Sequence, residues 1–162
     1  MLLFTVLVAG FGTIQDPHAT HATTGRQAVV AEAGAAVMPF DLNRTRHDFE
    51  TTASGGVQTV VSRDGDTHQI ALIRDHLRAE AVRFASGEFG SPAAIHGEDM
   101  PGLRTLSANA SQVQVAYLDR PDGGEIRFTT RDAALTTALH AWFAAQLADH
   151  GVHATAGGHN HH

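Results

Sequence analysis

The chain contains no cysteine among its 162 residues, so disulfides, thiolate nucleophiles, cysteine-based zinc sites and iron–sulfur clusters are excluded. Lysine is absent as well, because all eleven basic residues are arginine. This second absence excludes a lysine Schiff base and a P-loop lysine. The net charge of -6 means that the chain also lacks the basic surface typical of a nucleic-acid-binding protein. Histidine is left as the main residue type from which a function can be inferred.

Histidine is abundant, at 12 of 162 residues, whereas the chain has one tryptophan and one tyrosine. Neutral imidazole is a ligand for zinc, copper, nickel and iron, and a metal site needs about three or four donors that converge. The composition therefore predicts a metal-binding protein, with a copper or zinc ion as its cofactor, used for sequestration or delivery.

The N-terminal residues 2–14 form an uncharged, mostly apolar run. Its length suits the hydrophobic region of a signal peptide and is short of the roughly 20 residues needed to span a membrane. We therefore expect residues 1–15 to be a signal peptide, the protein to be periplasmic or secreted, and the mature chain to have no stable membrane span. The alternative is translation from Met38, which would give a cytoplasmic protein.

The composition divides the rest of the chain into three parts. Residues 16–38 are mainly alanine, threonine and glycine with little periodicity, which predicts a flexible, histidine-containing lead-in. Residues 151–162 predict a flexible histidine-rich tail. A single folded domain is expected over residues 39–150.

The predicted domain repeats one plan of two strands followed by a helix. Alternation of apolar and polar residues predicts strands at 46–53 and 57–63, and apolar spacings of three and four then predict a helix at 67–86. The plan recurs at an offset of 68, with strands at 112–119 and 125–130 and a helix that Asp132 caps and that ends near His150. This order predicts an α+β fold, a two-layer ββαββα sandwich with an antiparallel sheet and both helices on one of its faces.

The candidate metal ligands are five histidines of this domain, namely His47, His76, His96, His140 and His150. His47 shares a strand face with Phe49 and is expected to point under the helices. His76 and His140 lie on the flanks of the apolar faces of the two helices, whereas His150 continues such a face at a helix end. Neither helix has a second histidine three or four residues away, so a structural role for each histidine remains open.

The segment 96–102 is the densest group of polar residues and is expected to be an irregular loop. Met100 beside His96 favours copper, and the carboxylates could support metal-bound histidines. One alternative is a small enzyme in which His96 acts with Glu98 or Asp99 in acid–base catalysis. The other alternative is that this segment only connects the two halves of the domain.

A further alternative is a non-catalytic periplasmic binding or interaction module whose histidines are structural. The sheet face that the helices leave uncovered would carry polar residues such as Asp48, Glu50, Thr52 and Gln114. Such a face would bind a small ligand or another periplasmic protein.

Four segments also carry a resemblance: V-M-P-F-D-x-x-x-T-x-H-x-F at 37–49, I-R-D-H-L at 73–77, A-I-H-G-E-D-M-P-G at 94–102 and L-H-A-W-F-A-A-Q-L-A-D-H at 139–150. The chain resembles small, histidine-rich, exported bacterial proteins of unestablished function, which sometimes carry the name aspartate carbamoyltransferase. The chain has no S-T-R-T carbamoyl-phosphate loop. The resemblance therefore implies one exported domain that contains these histidines, and it implies no reaction.

Overall fold

The computed structural model describes residues 17–156, including the side chains of residues 25–151 and 153–156. The predicted signal peptide at 1–15 and the last six residues of the predicted tail lie outside the described residues. The described chain forms five helices, α1 Pro17–Val37, α2 Thr67–Ala85, α3 Gly90–His96, α4 Leu103–Ala108 and α5 Ala133–His150. It also forms five strands, β1 Thr45–Thr52, β2 Gly55–Ser62, β3 Gln114–Arg120, β4 Gly123–Thr129 and β5 Ala154–Ala156.

The α+β class and the two-layer arrangement are confirmed. The sheet has the order β3-β4-β2-β1-β5, and its first four strands are antiparallel to their neighbours. Helices α2 and α5 pack on the same face of the sheet, where Leu77 lies against Gly124 and Phe143 lies against Gly56. Both long helices begin as predicted, because the Asp66 and Asp132 carboxylates accept hydrogen bonds from the first free backbone N–H groups.

The internal repeat is visible in the strand register. Where β2 and β4 pair, Gln58 lies opposite Ile126, its equivalent at the offset of 68 residues. Gly55 and Gly123, which begin the two strands, are also equivalent. A Cβ atom on Gly55 would lie 2.1 Å from the carbonyl oxygen of Phe128, and one on Gly123 would lie 2.0 Å from that of Val60. The glycine pair that opens each of these strands therefore allows the two halves to approach closely.

Both ends of the described chain differ from the sequence-based expectation. Residues 17–37, expected to be a flexible lead-in, form α1, which packs against α3 and α5 and buries Val30. Alanine favours a helix even where no apolar stripe marks one face. After Gly151, the expected tail adds β5 parallel to β1, so the sheet is mixed rather than antiparallel throughout. A strand of three residues is too short for its alternation to be recognised.

The connection between the two halves contains two short helices. Helices α3 and α4 flank residues 97–102, which are irregular as the sequence predicts. His96 is the last residue of α3 rather than a loop residue, and it is buried. Among the described residues, no helix combines the length and apolar character needed to cross a membrane.

Candidate functional site

Three of the five candidate histidines meet beneath α1. His47 comes from β1, His96 from the end of α3 and His150 from the end of α5. The ring centroids of His47 and His150 are 5.0 Å apart, and those of His96 and His150 are 4.9 Å apart. We call these three residues the histidine cluster.

His47 is the most deeply buried member, with 2% of its surface exposed. It points under the helices, as its strand position predicts. Burial lowers the pKa of His47 well below its ordinary value, and neighbouring histidines lower it further. Its Nε2 atom is buried and has no hydrogen-bond partner among the described residues. The cluster therefore contains a neutral imidazole with one unused nitrogen.

His96 is oriented by a buried carboxylate. Its Nδ1 atom lies 2.9 Å from Oδ2 of Asp149. The Arg26 guanidinium of α1 binds both carboxylate oxygens of Asp149 and also donates to the carbonyl oxygen of His96 at 3.1 Å. Burial lowers the pKa of His96, although the hydrogen bond to Asp149 opposes that effect. A neutral His96 therefore donates its Nδ1–H to Asp149, which leaves Nε2 with the available lone pair.

Asp149 itself stays ionised. Burial raises its pKa, but hydrogen bonds from Arg26 and His96 outweigh burial and lower the pKa below the ordinary value. The Arg26 and Asp149 side chains are 123 residues apart in sequence. The sequence gives no local signal for this pair, and neither residue was among the predicted site residues.

His150 joins the other two histidines. Its ring is nearly parallel to that of Phe49, at 19° and a centroid distance of 6.2 Å. Burial lowers the pKa of His150 to about 4, His96 contributes to this lowering, and Asp149 opposes it. His150 is therefore neutral at pH 7, as are the other two members of the cluster.

A cleft of about 490 Å³ opens over the cluster. Its volume is within the range of small-molecule binding sites. The apolar part of its wall includes Val30, Ala31, Ala35, Phe40 and Leu42, and the polar part includes His47, Asp149, His150 and His153. Helix α1 thus forms one side of the cleft, and the cleft gives a route from the surface to the histidines. His153, which lies in the predicted tail, is part of the site but was not predicted.

His76 lies near the cluster but is not in ring contact with it. Phe40 lies between them, since its ring is 5.6 Å from that of His76 and 6.1 Å from that of His47. Burial lowers the pKa of His76, whereas Glu80 opposes this effect. His76 and His96 both line a second, smaller cavity on the inner side of the cluster.

His140 is separate from the other four candidates. Its Nε2 atom lies 3.0 Å from the carbonyl oxygens of both Thr52 and Gly55. These two residues flank the turn between β1 and β2. A protonated Nε2 that donates to two backbone oxygens fixes this turn and cannot also bind a metal. The structure therefore favours a structural role for His140.

The segment after α3 does not bring its carboxylates to His96. The Asp99 side chain is 94% exposed and pairs with Arg104, and Glu98 is exposed. Met100 is buried in the apolar core, at 5% exposure. The carboxylate that contacts the His96 ring is Asp149, so neither the expected acid–base pair nor a methionine next to the His96 ring is seen.

The histidine cluster is not a preformed metal centre in the part of the chain that the structure describes. Within the described part of the chain, no three histidine, aspartate or glutamate side chains are arranged to hold a metal ion. The His150 ring contacts the rings of both His47 and His96, but the nitrogen atoms of the three side chains do not converge. Comparison of the chain with protein families, curated proteins and solved structures found no significant match.

Proposed function

We propose that this chain is an exported binding protein that takes a copper or zinc ion at the histidine cluster, for sequestration or delivery. The observation that carries the proposal is the contact of the His150 ring with the rings of both His47 and His96, below an open cleft. Imidazole nitrogen suits both ions, and neither requires a cysteine.

The electrostatics of the cluster support metal binding. A histidine must lose its proton before it can bind a metal. Burial lowers the pKa of all three imidazoles, so protons do not compete with a metal at neutral pH. A metal would also give the Nε2 atom of His47 the partner that it lacks.

Asp149 supplies a second line of support. Metal-bound histidines commonly donate the N–H of their other ring nitrogen to a carboxylate, which fixes the orientation of the ring. His96 has this arrangement, and Arg26 holds the carboxylate in place. A translation start at Met38 would remove Arg26 along with α1, and these contacts would be lost.

Binding a metal requires the rings to move, because their nitrogen atoms do not converge in the structure. We expect rotation about the side-chain torsions of His47 and His150 to bring their nitrogen atoms toward Nε2 of His96. The metal should therefore make the cluster more rigid and raise the thermal midpoint of the protein.

Calorimetric titration with Cu²⁺ and with Zn²⁺ tests the proposal. The full chain is used with His18, His21, His159, His161 and His162 replaced by alanine, so that binding by terminal histidines is removed. We expect one ion per chain with a Kd below about 10 µM, which corresponds to about 7 kcal/mol of binding free energy. The absence of binding at that level would contradict the proposal.

Two variants in the same background locate the site. His150→Phe keeps an aromatic ring against Phe49 and removes two nitrogen atoms, so we expect the affinity to fall by at least about tenfold. The exposed His68 lies outside the cluster, so His68→Ala is the matched control and should not change the affinity. Equal affinities of the two variants would place the metal elsewhere.

The cleft favours a second candidate, a binding module for an uncharged organic molecule. Its volume of about 490 Å³ and its apolar wall fit such a ligand, and His47 would offer it a hydrogen bond. In that case the thermal midpoint would be unchanged by EDTA and by added metal. An apolar fluorescent dye would bind in the cleft, and Ala31→Trp, which adds bulk at its wall, would displace it.

The location and the partner belong to the same proposal. A protein that sequesters or delivers a metal in the periplasm exchanges it with another periplasmic protein. N-terminal sequencing of the natively expressed protein tests the location. A mature end near residues 13–15 would support export, whereas an end at Met38 would contradict it.

A further inference from the structure

A second cavity lies on the inner side of the histidine cluster, between the sheet and helices α2, α3 and α5. Its volume is about 30 Å³, far smaller than the cleft. The wall combines apolar core side chains with an unusual number of polar ones, including Gln58, Glu80, Trp142 and Gln146. These polar residues come from β2, α2 and α5, so the cavity lies where three elements of the fold meet.

Four polar atoms at this cavity are buried without a hydrogen-bond partner among the described residues. Two are donors, Nε1 of Trp142 and Nε2 of Gln146, and two are acceptors, Oε2 of Glu80 and Oε1 of Gln58. Trp142 is 0% exposed, Glu80 is 3% exposed and Gln146 is 5% exposed, so bulk water does not serve these groups. Buried polar atoms are rarely left unpaired, and four beside one cavity indicate a missing partner.

The position of Glu80 is fixed independently of that partner. Its Oε1 atom accepts hydrogen bonds from Arg83 at 2.7 Å and from Ser91 at 2.9 Å. The second oxygen, Oε2, is the one that remains unpaired. The carboxylate is therefore held in place by one oxygen while the other remains available to a ligand.

The mixture of donors and acceptors defines the chemistry of the ligand. A metal cation would leave the N–H groups of Trp142 and Gln146 unpaired, and an anion would be repelled by the Glu80 carboxylate. An apolar molecule would leave all four atoms unpaired. Water donates two hydrogen bonds and accepts two, which matches the two acceptors and two donors in number.

We propose that this cavity is a binding site for one resident water molecule, which joins β2, α2 and α5. A buried water molecule needs a cavity volume of at least about 10–15 Å³ and two to four polar partners, and this cavity offers both. The water accepts from Trp142 and Gln146 and donates to Glu80 and Gln58. It is part of the folded core and does not depend on whether the histidine cluster binds a metal.

Nuclear magnetic resonance of the ¹⁵N-labelled full chain tests the proposal. Trp142 is the only tryptophan, so its indole N–H signal is assigned without ambiguity. We expect a cross-peak between this proton and water, with the sign of a water molecule that stays bound while the protein tumbles. An observable indole signal without this cross-peak would overturn the proposal.

Two variants identify the origin of the cross-peak. Gln146→Leu removes one donor and fills part of the cavity, so the cross-peak should weaken or disappear. The exposed His68 lies outside the cavity, so His68→Ala is the control and should leave the cross-peak in place. A cross-peak that is lost in His68→Ala, or unchanged in Gln146→Leu, would overturn the assignment.

Discussion

His150 should make the folded protein sensitive to acid, because its imidazole is buried and neutral. Its pKa is about 4 in the folded chain, against an ordinary value of 6.5 that applies when the chain unfolds. Above pH 6.5 both states carry a neutral imidazole and the full stability is present. Between 6.5 and 4 the unfolded chain binds a proton that the folded chain does not, so the free energy of unfolding decreases as the pH falls. At about pH 5 the loss through His150 amounts to about 2 kcal/mol, at roughly 1.4 kcal/mol per pH unit.

Urea unfolding at about pH 7.5 and about pH 5 measures this loss. The fluorescence of the single, fully buried Trp142 reports the transition. We expect the wild-type protein to lose at least about 2 kcal/mol between the two conditions, since His47 and His96 shift in the same direction. His150→Phe keeps the ring contact with Phe49 and removes the titrating group, so its loss should be smaller by about 2 kcal/mol.

The exposed His68 provides the control for this measurement. His68→Ala should lose as much stability on acidification as the wild-type protein, because the imidazole is outside the cluster. If His150→Phe also loses as much as the wild-type protein, a buried and neutral His150 is refuted.

Three further predictions concern other contacts. His96→Ala should weaken Zn²⁺ binding by about ten- to a hundredfold in calorimetry. It should also lower the thermal midpoint, because Asp149 loses a buried partner. An unchanged affinity would show that His96 is not a metal ligand. His140→Phe should cost about 1 kcal/mol of stability in urea unfolding, because the carbonyl groups of two residues lose their hydrogen-bond donor. A changed metal affinity would argue against a structural role for His140. Gly123→Ala should lower the free energy of unfolding by about 1–3 kcal/mol or more, because the new Cβ meets the Val60 carbonyl group. Gly90→Ala is the control, because the space around Gly90 is open. Equal stabilities of the two variants would refute the close approach of the two halves.

The parts of the fold that follow a local pattern could be predicted from the sequence. Strand alternation places His47 and Phe49 on the buried face, and the aspartates at 66 and 132 mark the helix starts. His150 continues the apolar face of α5 at the helix end, which correctly predicts that it lies on the packed side of the helix, where its ring contacts Phe49. Each of these inferences depends on periods of two or 3.6 residues, which are visible within one element.

The parts that depend on distant contacts could not be predicted. The salt bridge between Arg26 and Asp149 joins α1 to α5, and neither residue has a distinctive neighbourhood in the sequence. The same holds for His140, whose partners are backbone carbonyl groups of a turn about 85 residues away. Helix position alone does not separate His140, which holds a turn, from His76, which lies near the cluster. Only the packing of α5 on the β1–β2 hairpin makes that distinction.

X-ray absorption at the zinc edge tests the central claim most directly. The sample is the full chain with its five terminal histidines replaced by alanine and with one equivalent of Zn²⁺ bound. Its spectrum should show a nearest shell of nitrogen atoms at about 2.0–2.1 Å from zinc, with the outer-shell scattering of two or three imidazoles. His150→Phe should remove one imidazole from that shell, whereas His68→Ala should not change it. A shell of oxygen atoms without imidazole scattering, or a spectrum that is the same in both variants, would contradict metal binding by the histidine cluster.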